Sequence, residues 1–137
     1  MADNYKEILE KVLSVTGKIG ASETLKILDN IGEYGGGVAV LLSSIKANLN
    51  VSIRQIQEKN KHRTDSLYYA KRIFAYLLET ELKYSRNDIA ILMNKKNRIT
   101  NEYITQLKED IEGKTSFHKT FKNHLLDITN DLKNYLN

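Results

Sequence analysis

Residues 85–112 read SRNDIAILMNKKNRITNEYITQLKEDIE, and this stretch decides the fold. Ser85-Arg86-Asn87-Asp88 has the form of a capping box with aspartate in the glutamate position, so the serine hydroxyl can accept from a backbone amide three residues on. The apolar run Ile89-Ala90-Ile91-Leu92-Met93 forms a short helix, and Asn94-Lys95-Lys96-Asn97-Arg98 is a polar turn. From about residue 100 to 112, Tyr103, Ile104, Leu107 and Ile111 recur at helical spacing and predict an inward stripe. Asn101, Glu102, Thr105, Gln106 and Glu109 fall on the outward face, and Glu109-Asp110 reads as helical surface.

Short helix, polar turn, second helix over 86–112 is the order of a helix-turn-helix. In that motif the first helix braces the second, whose amino-terminal residues enter the major groove. Asparagine and glutamine suit adenine there, threonine suits several bases, and a glutamate accepts from cytosine. Glu109 and Glu112 oppose phosphates, so only the first turn of the second helix is expected to approach DNA closely.

On the amino-terminal side, residues 66–82 predict the longest helix, with Leu67, Ala70, Ile73, Phe74, Leu77, Leu78 and Leu82 on its buried stripe. Before it, Ser52-Ile53-Arg54-Gln55 is a full capping box opening a short helix over about 53–58. Glu58-Lys59-Asn60-Lys61-His62-Arg63 follows as a basic loop or frayed helix end. Residues 38–48 predict a strongly apolar helix after the turn at Gly32-Glu33-Tyr34-Gly35-Gly36-Gly37. That glycine cluster lacks the Lys-Ser or Lys-Thr of a phosphate loop. Residues 4–18 and about 22–31 predict two further helices. At the other end, Phe117, Phe121, Leu125, Ile128, Leu132 and Leu136 define an amphipathic helix over 115–137. The expected architecture is all-α, a single domain over 1–137: amino-terminal helices 1–37, a core 38–112 and a last helix.

Composition fits this picture. The 137 residues include no proline, which favours long helices and short connections, and no cysteine, which excludes disulfides and thiolate metal sites. The longest apolar run, Val38 to Leu42, is far short of a membrane span, and the amino terminus lacks a signal-peptide core, so a cytoplasmic protein with no membrane partner is expected. The net charge is only +4, but it is unevenly placed. Residues 54–72 hold six basic side chains against two acidic, and 73–98 hold five against three. The middle therefore carries a net +6 between slightly acidic flanks, the footprint of a polyanion site.

Nothing comparable marks a catalytic centre. His62, His118 and His124 stand apart from acidic or nucleophilic partners, and the six-residue spacing of the last two does not suit metal ligands on one helical face. The helical zinc-protease, nucleophile-elbow and dinucleotide fingerprints are missing. The expectation is no catalysis, no metal and no cofactor.

Residues 45–112 resemble the C-terminal DNA-binding domain of the bacterial replication initiator DnaA, within the Trp-repressor-like helix-turn-helix superfamily. Three parts match in order. Val51-Ser52-Ile53-Arg54-Gln55-Ile56 runs into the basic loop Lys59-Asn60-Lys61-His62-Arg63. Ala70-Lys71-Arg72-Ile73-Phe74-Ala75-Tyr76-Leu77 resembles the family's Ala-Arg-Gln-Ile-Ala-Met-Tyr-Leu, and Ser85-Arg86-Asn87-Asp88-Ile89-Ala90 resembles its Ser-Leu-Pro-Glu-Ile-Gly. The resemblance implies that Lys59, Lys61 and Arg63 contact phosphates and the minor groove, and that Thr100, Asn101 and Thr105 lie on the reading helix. Arg54, Lys71, Lys95, Lys96 and Arg98 complete the candidate DNA-binding set.

The chain departs from the family at the reading signature. Lys96-Asn97-Arg98-Ile99-Thr100-Asn101 replaces Arg-Asp-His-Thr-Thr-Val, with two or three extra residues in the turn. Residues 1–37 supply helices rather than an ATP-binding module. The expected role is a stand-alone regulator of transcription or replication, bacterial or phage-borne, with double-stranded DNA as partner. The alternative is a helical protein-interaction domain that keeps the scaffold but not DNA binding. The first and last helices are its candidates for a homodimer contact or a protein partner.

Overall fold

A computed structural model describes residues 35–58, 64–113 and 119–137, and every element among them is a helix. The helices are α1 (Gly36–Leu49), α2 (Ile53–Gln57), α3 (Asp65–Thr80), α4 (Arg86–Met93), α5 (Asn97–Ile111) and α6 (Lys119–Leu136). The helices expected over 4–18 and 22–31 lie outside the described residues, as do Lys59, Lys61, His62, Arg63, Phe117 and His118.

Local chemistry sets several of the helix boundaries. Ser52 Oγ accepts from Gln55 N while Gln55 Oε1 accepts from Ser52 N at 2.9 Å, so both halves of the expected capping box are present. Ser85 Oγ accepts from Asp88 N at 3.1 Å at the start of α4, and Thr64 Oγ1 accepts from Leu67 N at the start of α3. Each satisfies an amide that the helix itself leaves open. Asn50 closes α1 in the left-handed region, with φ 56°.

The axis of the fold is α3, which touches all five other helices. Its buried surface is correspondingly wider than the expected stripe and takes in Tyr69, Lys71, Arg72 and Ala75 besides Ala70, Ile73, Phe74, Leu77 and Leu78. A helix covered on every side has few positions left for water. In α1 the run from Val38 to Ile45 is wholly buried, and Ser43 Oγ bonds back to Ala39 O at 2.9 Å. That run is core: among the described residues no helix is long and apolar enough to cross a membrane.

The last helix packs along α1. Ile128 and Leu132 are fully buried, Ser44 Oγ donates to Asp131 Oδ2 at 2.6 Å, and Phe121 stacks on Tyr69 of α3 with centroids 4.4 Å apart. Leu136, expected on the buried stripe, is instead 46% exposed, while its neighbour Tyr135 packs against the core.

Candidate nucleic-acid interface

The α4–turn–α5 unit is tighter than expected. The five-residue polar turn contracts to Asn94-Lys95-Lys96, and α5 starts at Asn97 rather than near 100. Asn94 adopts φ 56°, ψ 45°, its N–H bonds to Ile91 O, and Lys95 N–H reaches Ala90 O at 2.9 Å. This is a Schellman closure with asparagine in the left-handed position, which reverses the chain within one residue. Asn97 and Asn87 side chains hydrogen-bond across the two helices, and Gln57 Nε2 of α2 donates to Leu92 O at 2.9 Å, satisfying a carbonyl at the end of α4.

Helix α5 opens differently from α2, α3 and α4. Lys96 stands at the N-cap position with no side-chain cap, and the first turn holds no acidic residue. Lys96 and Arg98 are both exposed, so two cations flank the positive end of the helix where a serine, threonine or carboxylate would stabilise it.

The other expected contacts divide sharply. Arg54 is exposed on α2, beside Glu58 at 3.8 Å, and Thr105 is exposed on the outer face of α5. Asn101 is half-buried, and its Oδ1 has no hydrogen-bond partner among the described residues. Thr100 is a correction: it is completely buried and its Oγ1 donates to Asn97 O at 3.0 Å, so it cannot reach a base. Its place follows from spacing, since 100 precedes 103, 104 and 107 on one helical stripe.

Lys71 is a second correction. It is 1% exposed and points its Nζ at Glu58 O, 3.5 Å away, so it is not a phosphate anchor. Burial pushes its pKa below the usual lysine value; the Lys95 charge adds to this and Glu58 opposes it. Lys95 Nζ donates to the same Glu58 carbonyl. Two lysines thus hold the Glu58 carbonyl beside the turn that precedes α5.

Asp110 is the third correction. Expected on the surface, it is buried, and Arg72 Nη1 donates to its Oδ2 at 2.6 Å. Arg72 Nη2 also donates to Gln106 Oε1 at 2.6 Å and to the Tyr68 hydroxyl, and the guanidinium lies 4.0 Å from the Tyr68 ring centroid. With Asp110 turned inward, Ile111 is displaced from the expected stripe and is 41% exposed. The sequence-level charge count therefore overstates the surface: Lys71 and Arg72 are both interior, and Arg72 is neutralised there.

A second ionic tie sits nearer the surface. Glu79 of α3 accepts from Arg86 Nε at 2.7 Å and from Lys108 Nζ at 3.2 Å, linking the start of α4 to α5. The Arg86 hydrogen bond, with help from Lys108, holds the Glu79 carboxyl below its ordinary value against the opposing effect of burial. Among the described residues no cluster of three or more potential metal ligands occurs. No family model, curated protein or solved structure matches the chain.

Proposed function

We propose that this chain binds double-stranded DNA non-catalytically, with α4, the turn and α5 acting as a helix-turn-helix. The observation that carries this reading is the start of α5: an uncapped helix terminus, flanked by exposed Lys96 and Arg98, set after a three-residue turn against a bracing helix. Open amides and the helix dipole favour an anion there, and a phosphate would satisfy both. Arg54, Lys59, Lys61 and Arg63 extend the phosphate contacts, since Glu58 is tethered beside the turn. Base readout falls to Arg98, Glu102 and Thr105, while Lys71 and Thr100 leave the contact set and the buried Oδ1 of Asn101 keeps it from a two-point contact with adenine. With the resemblance described above, the reading extends to a bacterial or phage-borne cytoplasmic regulator or replication accessory factor.

Fluorescence anisotropy of labelled random duplex across a salt series tests it. Affinity is expected to fall steeply with salt, and Lys96→Ala to reduce the log–log slope by about one while weakening all duplexes alike. Absence of binding at low salt, or binding indifferent to salt, overturns the proposal. The second reading, a protein-interaction domain, is favoured by Ile91, a large apolar side chain 77% exposed on α4. Under that reading Ile91→Lys abolishes partner binding and no duplex is bound.

A further inference from the structure

Lys71 of α3 and Lys95 of the α4–α5 turn donate to one acceptor, the carbonyl oxygen of Glu58. Sharing it puts the two ammonium groups within about 6 Å of each other, where each charge disfavours the other. Lys71 is 1% exposed, and among the described residues no ion pair includes it. Its single bond, 3.5 Å long and to a neutral oxygen, compensates poorly for burying an ammonium with three N–H donors. Burial, the largest influence, and the Lys95 charge both favour the neutral amine. The Glu58 carboxylate favours the charged one, but it is partly exposed and stands 3.8 Å from Arg54. Arg72, the next residue of α3, is committed to Asp110. An apolar side chain would fill the place of Lys71 at no electrostatic cost, so the amine is a candidate for a titrating role.

The pair adjoins the proposed interface, since Lys95 is followed in the chain by Lys96, the exposed N-cap residue of α5. A phosphate docked on Lys96 acts on the two amines from a distance of the order of one screening length, about 10 Å, and charges taken out of water are screened less than exposed ones. Negative charge brought there favours the state in which both amines are protonated. We propose that duplex binding at the start of α5 is coupled to uptake of a proton by the Lys71–Lys95 pair, so that the interface holds DNA more tightly at lower pH. The inference rests on the DNA-binding reading above. The proton is drawn from solvent and forms an N–H bond on the unprotonated amine, and no other bond changes. By reciprocity, a ligand that promotes protonation is itself bound more tightly by the protonated form. Affinity is therefore full where the free pair is already doubly charged, falls as pH rises through its titration, and levels off once the bound pair has also lost a proton.

The test uses the full chain, random duplex at low salt, and two variants, Lys71→Met and Lys95→Met. Calorimetric titrations in buffers of different ionisation enthalpy, from about pH 7 to about pH 10, count the protons taken up as duplex binds. The natural sequence is expected to take up a measurable fraction of one proton and to lose about three- to tenfold in affinity across that range. Lys71→Met keeps an unbranched side chain in the interior and should bind duplex without that uptake and with a flatter pH profile. Lys95→Met removes the like charge and should reduce the uptake while weakening binding at every pH. Should Lys71→Met fail to fold, an NMR titration of the lysine side chains in the natural sequence reads the same coupling: the Lys71 signal should titrate at higher pH in the complex. Duplex binding without proton uptake, equal uptake in Lys71→Met, or a Lys71 signal unmoved by duplex overturns the coupling and leaves DNA binding standing. Failure of the natural sequence to bind any duplex overturns both.

Discussion

Asp110 and Arg72 meet 38 residues apart in sequence, and their side chains are 4% and 7% exposed. Each charge is tolerable in the interior only because the other is present, and Tyr68 and Gln106 take up further guanidinium donors. Asp110→Ala should therefore cost about 3–5 kcal/mol by denaturant unfolding, since it strands a buried guanidinium. Replacing both members by apolar residues of similar size, Arg72→Met with Asp110→Leu, should cost less than Asp110→Ala alone. A double variant less stable than the single one would contradict this account. Neither partner was legible as interior from the sequence, because a lone charged residue on a helix carries no mark of what lies opposite it. Thr100 differs in this respect: its burial was available from the spacing of Tyr103, Ile104 and Leu107, and only the assumed start of the helix concealed it.

At the scale of elements, the capping serines and threonine explain why α2, α3 and α4 begin where they do, and Asn94 explains where α4 stops. Against these, α5 begins with lysine at a position whose extended backbone, φ −74° and ψ 149°, would accept a capping serine without change. Lys96→Ser is expected to raise stability by about 1 kcal/mol, a few degrees in melting temperature, while weakening duplex binding. A more stable variant with unchanged duplex affinity would remove the helix terminus from the proposed interface. The capping boxes were plain in the sequence because caps are short-range chemistry. The turn length was not, because Asn97 and Arg98 are as compatible with a polar turn as with a first helical turn, and packing against α4 decided between them.

At the scale of the whole molecule, Glu79 joins α3 to both ends of the α4–α5 unit through Arg86 and Lys108. Its folded-state pKa is depressed, so its contribution is fully present above the unfolded value, about 4.5, and is lost as pH falls through the lower folded value. Glu79→Gln should thus cost about 1 kcal/mol at neutral pH, an amount set by the partly exposed partners. The difference from the natural sequence should close as the medium is acidified below pH 4.5. A gap that persists undiminished at low pH would assign Glu79 a role other than charge pairing.

By itself the sequence determined the all-helical class, the order and approximate ends of the helices from α1 to α6, and most of the apolar core. These follow from periodicity and caps, which act within a few residues. Only the tertiary structure decided which cations face water. Lys71 and Arg72 counted as surface charge in the sequence, but α3 is enclosed by five other helices, and enclosure depends on packing between segments far apart in the chain. Arg98 and Lys96 stay at the surface because α5 meets its neighbours along the opposite stripe, through Thr100, Tyr103, Ile104, Leu107 and Asp110.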